Sequence, residues 1–151
     1  MKILVTGGAG YIGSHVVLEL LRKKYEVIVL DNLSTGKKEN INSKTTFCEG
    51  SILCKEDLNK VFKYNIDAVI HLAGSKTVGE SMINPSKYIK NNIIGSLNLL
   101  IACEKFNVSK FIFSSSASVY GNPQYLPIDE SHPTIPSNFY GETKLQIEKN
   151  L

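Results

Sequence analysis

Apolar runs of four or five residues alternate along this chain with stretches whose apolar positions recur at helical spacing. That alternation marks a parallel sheet covered by helices on both faces. Five runs read as strands: Lys2 to Thr6, Glu26 to Leu30, Thr45 to Cys48, Ala68 to Leu72, and Lys110 to Ser114. Their near-continuous Val, Ile, Leu and Phe content suits strands buried on both sides. Helices are predicted near Gly13 to Lys24, Lys55 to Tyr64 and Pro85 to Phe106. Leu58, Val61 and Phe62 repeat at helical spacing in the second, and Pro85 suits the first turn of the third, where a missing N–H costs nothing. From Ala117 to Asn138 the chain holds four of its five prolines and reads as irregular, and a last helix starts close to Tyr140. Joined as two βαβ halves, these elements predict a doubly wound α/β fold with strand order 3-2-1-4-5. Its ligand crevice lies at the carboxyl ends of strands 1 and 4, where the order reverses.

Composition narrows the picture. At 151 residues and 42% hydrophobic content the chain matches one domain with a sizeable core. The net charge of +3 comes from scattered lysines such as Lys37, Lys38, Lys87 and Lys90, with Arg22 the sole arginine. No basic cluster interleaved with aromatics is present, so no nucleic-acid partner is expected. Cys48, Cys54 and Cys103 make an odd number without metal-ligand spacing, and no metal site is expected. The opening Met-Lys-Ile-Leu-Val-Thr lacks the long apolar run of a signal peptide, and every apolar stretch is too short to span a bilayer. A cytoplasmic location without membrane contact is the expectation.

Chemistry enters at the strand ends. After strand 1 comes Thr6-Gly7-Gly8-Ala9-Gly10-Tyr11-Ile12-Gly13, which satisfies Gly-x-Gly-x-x-Gly through Gly8, Gly10 and Gly13 and Gly-x-x-Gly-x-x-Gly through Gly7, Gly10 and Gly13. Lacking Cβ atoms, these residues let the backbone approach a pyrophosphate whose charge rests on a helix N-terminus. Asp31 ends strand 2, eighteen residues after Gly13. A carboxylate there accepts adenosine ribose hydroxyls and repels a 2′-phosphate, and Asn32 to Thr35 bring no arginine, so NAD is favoured over NADP. Small residues follow strand 4 in His71-Leu72-Ala73-Gly74-Ser75-Lys76, where His71 reads as structural and Lys76 as either a phosphate contact or an ordinary exposed lysine. Strand 5 ends in Ser114-Ser115-Ser116, hydroxyls that either face the ligand crevice or form a serine-rich turn.

Tyr140 and Lys144 stand four apart, on one face of a helix. A tyrosine used as a base at neutral pH needs its ordinary pKa of about 10 lowered by roughly three units, and a neighbouring ammonium helps to supply that. Composition alone predicts about 0.7 such pairs, so the pair gains weight only from the cofactor motifs around it.

Together these segments resemble the extended short-chain dehydrogenase/reductase superfamily, with its Rossmann-type fold, and within it the NAD-dependent epimerase/dehydratase family. The resemblance runs along the whole chain, and Lys76-Thr-Val-Gly-Glu-Ser81 is most like the epimerases that invert C4 of UDP-hexoses. It implies that Tyr140 is the catalytic base, that Lys144 binds the nicotinamide ribose, and that Ser116 hydrogen-bonds the sugar oxygen at C4. It also implies NAD contacts from Gly7, Gly10, Tyr11, Ile12, Gly13, Asp31, Asn32, Ser51, Ile52, Leu72, Ala73, Gly74, Lys76 and Asn91, as well as from Tyr140 and Lys144 themselves. The implied reaction is transient oxidation at C4, interconverting UDP-glucose and UDP-galactose in galactose metabolism. Another UDP-sugar, UDP-N-acetylglucosamine or UDP-glucuronate, or a non-catalytic NAD-binding role are the alternatives. Family members are more than twice as long, so residues 1–151 are expected to form an incomplete NAD-binding domain lacking the carboxyl-terminal substrate domain. The isolated chain is expected to be inactive, and the full-length form to be a homodimer. The family's Gly-Asp after strand 3 is Gly50-Ser51 here, and related dehydratases carry Asp-Glu where this chain has Ala117-Ser118. Dehydration needs that extra acid and base, so it is disfavoured.

Overall fold

The computed structural model describes all 151 residues. The chain packs as two compact units, Met1–Ala73 with Gly95–Ser114, and Gly74–Ile94 with Ser115–Leu151. The first unit holds the whole sheet: β1 (Lys2–Thr6), β2 (Glu26–Asp31), β3 (Thr46–Glu49), β4 (Ala68–His71) and β5 (Lys110–Phe113). All pairs are parallel and the order is β3-β2-β1-β4-β5, as the alternating pattern predicts. Side chains alternate across each strand. Ile3, Val5, Val27 and Val29 therefore face one way and pack with Val17 of α1 (Tyr11–Arg22). Leu4, Ile28, Leu30 and Val69 face the other way, against Leu58, Val61 and Phe62 of α2 (Lys55–Phe62) and Leu99, Ala102 and Cys103 of α5 (Gly95–Lys105). Register follows from that burial. Ile3 lies opposite Val27 and Ala68, and a one-residue slip would turn each apolar set to the wrong face.

His71 is fully buried, with Nδ1 2.7 Å from Thr6 Oγ1 and Nε2 2.7 Å from Ser96 Oγ. Its role here is structural, as its strand-end place suggests, although these partners are hydroxyls.

Helix ends in this unit use left-handed residues. Asn65 and Asn107 follow α2 and α5 at φ near +58° and +57°, conformations asparagine tolerates. Lys24 follows α1 at φ +64°, where its Cβ is a steric cost that glycine avoids. Lys24→Gly is expected to raise stability by about 1 kcal/mol, measured by urea denaturation. An unchanged midpoint would show that this turn carries no strain.

The second unit holds α3 (Val78–Ile83), α4 (Pro85–Tyr88), a π-helical segment Ile89–Ile94 and α6 (Phe139–Glu148). The sequence predicts one helix over Pro85 to Phe106. Instead the chain forms α4, widens into the π segment, and tightens again into α5. Pro85 sits in the first turn of α4 as expected, with Asn84 capping it through Lys87 N. No helix of the protein is long and apolar enough to cross a membrane.

Candidate functional site

In the first unit the glycine loop turns between β1 and α1. Gly10 is the N-cap of α1 and its N–H donates to Gly7 O at 3.1 Å. No side chain caps the helix and its first turn holds no acidic residue. The N–H groups that a helix cannot satisfy internally therefore keep their partial positive charge for an external anion. Tyr11 and Ile12 stand exposed beside them, at 77% and 62%. Gly13 closes the turn: a Cβ there would lie 2.1 Å from Gly7 O and 2.8 Å from Gly8 Cα. The loop is thus shaped by missing side chains.

Asp31 is buried at the end of β2. Its Oδ2 accepts from Ala9 N at 3.0 Å and its Oδ1 from Leu33 N at 2.9 Å. The carboxylate is held rigidly by backbone donors, and each oxygen keeps lone-pair capacity for a ligand hydroxyl. Asn32 is exposed, with Oδ1 accepting from Ser34 N. Ala9 O accepts from both Lys37 N and Asn40 Nδ2, so the loop after β2 is strapped onto the glycine loop. Asn40 carries no motif and was invisible to sequence reasoning. Ser51 N donates to Asp57 Oδ2 at 3.0 Å, and Ser51 Oγ accepts from Leu53 N at 3.2 Å. The serine keeps the local turn that a carboxylate would also make. The side chain of Ile52 is buried in the cluster under α2 and α5, with Ala73 half-buried against that cluster and Leu72 half-buried against the cluster on the sheet's other face. These features suit a dinucleotide: an uncapped helix N-terminus for a pyrophosphate and a fixed carboxylate for a ribose.

In the second unit Tyr140 and Lys144 share a face of α6, and the Lys144 Nζ lies 5.9 Å from the centre of the Tyr140 ring. Lys144 is 7% exposed, and burial pushes its ammonium down to about 8. Ser116 Oγ accepts from Ser118 N at 3.2 Å, starting a 3-10 turn over Ala117–Val119. The serine run forms the local turn that was one of its two readings, and the Ser116 hydroxyl, accepting there, keeps a proton it can donate. Gly141 lets the first turn of α6 approach that serine turn, since a Cβ would stand 2.5 Å from Ser118 O.

Asn92 was not foreseen. It is buried in the π segment, its Oδ1 accepts from Ser75 N at 2.8 Å, and its Nδ2 donates to Ser75 O and Thr143 Oγ1. Thr143 donates in turn to Tyr140 O at 2.7 Å. Asn91 donates to Ser75 Oγ at 3.0 Å, and Lys76 is exposed. The signal for Asn92 was a pair of asparagines inside an otherwise apolar helical pattern.

A profile of the NAD dependent epimerase/dehydratase family matches residues 3–151. The chain belongs to the NAD dependent epimerase/dehydratase family. It is 50% identical over 159 residues to a UDP-glucose 4-epimerase of Bacillus subtilis (strain 168), covering 100% of this chain and 47% of that protein. The structure of UDP-glucose 4-epimerase from Brucella ovis in complex with NAD superposes with a TM-score of 0.97 at 45% identity, over 99% of this chain and 46% of that one. The UDP-Glc/GlcNAc 4-epimerase from Campylobacter jejuni gives a TM-score of 0.95 at 42% identity, over 99% of this chain and 47% of that one. The chain spans about half the length of these epimerase relatives. The parallel order and flanking helices are those of this family's fold.

Proposed function

We propose that this chain supplies the NAD-binding and proton-transfer half of a UDP-hexose 4-epimerase. The observation that carries the reading is the buried Lys144 ammonium over the Tyr140 ring. A cation held at that place on the same helix face is positioned to act on the phenol. Gly7, Gly10, Tyr11, Ile12 and Gly13 would hold the pyrophosphate, and Asp31 and Asn32 the adenosine ribose. Ser51, Ile52, Leu72, Ala73, Gly74, Lys76 and Asn91 would line the rest of the cofactor, with Lys144 on the nicotinamide ribose. Bound NAD supplies a reversible hydride acceptor. Tyr140 takes the proton of the sugar 4-hydroxyl and later returns it, Lys144 places positive charge beside the phenol, and Ser116 donates to the sugar oxygen at C4. Ala117 offers no acid or base, which favours epimerisation over loss of water.

The relative named for both UDP-Glc and UDP-GlcNAc makes the N-acetylated sugar the second reading. Residues aligning a sugar are needed for near-attack geometry, so we expect the 151-residue chain to bind NAD but turn over little UDP-galactose. Thermal unfolding with rising NAD is the test. A ligand at a hundred times its Kd stabilises by about 2.7 kcal/mol, several degrees for a domain of this size. No shift with NAD sinks the cofactor assignment, while a shift that Tyr140→Phe leaves intact separates binding from chemistry.

A further inference from the structure

Resting on Tyr140 as the base, we infer that Ser81 is a positioning residue that fixes the first turn of α6 and so aims the Tyr140 phenol. Tyr140 is the second residue of α6, in the turn whose N–H groups have no intrahelical acceptor and which frays most readily. Three side-chain acceptors hold the N–H groups of Phe139, Tyr140 and Gly141 in that turn. Asn138, the N-cap, supplies one, its Oδ1 accepting from Gly141 N at 2.8 Å, while its carbonyl accepts the first intrahelical bond from Glu142 N at 3.1 Å. The other two come from α3: Ser81 Oγ accepts from Tyr140 N at 3.0 Å, and Met82 Sδ from Phe139 N at 3.3 Å.

Ser81 is fully buried and committed in both directions, since its hydroxyl also donates to Val78 O at 2.6 Å. Its acceptor lone pair is therefore aimed, not free to rotate. The helix that carries Ser81 is itself anchored. Glu80 pairs with Lys87 at 2.6 Å, and the Tyr88 hydroxyl lies 2.9 Å from Glu80 and 2.6 Å from Thr77 O. The Val78-Gly79-Glu80-Ser81 motif thus has a division of labour: Glu80 fastens α3 to α4, and Ser81 fastens α6 to α3. Asn138 alone caps the helix one residue too late to hold the Tyr140 amide, which is why a second cap from outside the helix is informative.

The test uses the intact chain and no cofactor, so it is independent of whether NAD binds. Amide hydrogen exchange and the nuclear Overhauser contact between the Tyr140 ring and the Lys144 side chain are measured in wild type, Ser81→Ala, Ser81→Thr and Met82→Leu. Ser81→Ala is expected to speed exchange at Tyr140 by about ten-fold and weaken the ring contact, with Leu4 and Val69 changed by less than about two-fold. Ser81→Thr, which keeps the acceptor, restores both. Met82 is 62% exposed, so Met82→Leu leaves the fold intact and is expected to speed Phe139 alone. Wild-type exchange and ring contact in Ser81→Ala, or equal acceleration at Leu4 and Tyr140, overturns the assignment; so does an unchanged Phe139 in Met82→Leu. An NAD titration of the wild-type sample reports separately on the cofactor reading.

Discussion

Gly13→Ala is expected to abolish NAD-dependent stabilisation and to destabilise the chain by about 1–3 kcal/mol, the range for forcing a methyl into filled space. In an ordinary helix the same change stabilises by close to 1 kcal/mol, because alanine loses less entropy than glycine. Here the added Cβ would stand 2.1 Å from Gly7 O and 2.8 Å from Gly8 Cα, all backbone atoms with no rotamer to yield. Sterics outweigh propensity, and the loop must open to admit the methyl. Opening displaces the Gly10 N–H to Gly7 O bond and the first-turn N–H groups that point at the proposed pyrophosphate. Urea denaturation reads the stability and calorimetric titration reads NAD. A variant that binds NAD as tightly as wild type would mean that the glycine loop is only a turn.

Lys144→Met is expected to remove a pH dependence of stability and to weaken NAD binding. Burial holds the folded-state amine near 8, whereas the ordinary value is 10.5. Between those pH values the unfolded chain binds more protons, so wild-type stability rises with pH across the window. Below about pH 8 the lysine is charged in both states and the cost of burying it is present in full; above about 10.5 it is gone. A shift of this size corresponds to about 3 kcal/mol. Methionine carries no titrating group, so the stability of wild type relative to Lys144→Met is expected to rise by about 3 kcal/mol between pH 7 and pH 10.5. Comparing the two by urea denaturation at several pH values cancels the other alkaline titrations. A difference between the two that does not change across that pH window would falsify the burial argument. NAD stabilisation should fall in the variant, because the ammonium proposed to hold the nicotinamide ribose is lost.

The strands were legible because each is an apolar run bounded by polar or small residues, and their order followed from placing two βαβ halves back to back. Boundaries moved by a residue or two: β2 takes in Asp31, β4 stops at His71, and α1 begins at Tyr11 within the glycine motif. Helix α3 was missed because its six residues, Val78–Ile83, are too few for a helical period to show. The π segment was missed because hydrophobic spacing cannot distinguish it from a continuous helix when both flanks are helical. The Tyr140/Lys144 pair was visible, but its burial was not, since pattern rules place lysine at the surface. Ser81, Asn92 and Thr143 were hidden for a related reason: small polar residues look like solvent-facing positions until their partners, 59 and 51 positions away along the chain, are known.

Strand order also sets the timing of assembly on the ribosome. The first strand made is the middle strand of the sheet, and its β4 partner begins 65 positions after Ile3, at Ala68. At about 5–20 residues per second, Ile3, Leu4 and Val5 wait several seconds before that edge can be paired. During that interval one of the most hydrophobic stretches of the chain can be held only by β2, by α1, or by a chaperone. Slowing synthesis between residues 31 and 68 would lengthen the exposure, so the central strand that makes the native fold secure is also the segment most open to misassembly while the chain is being made.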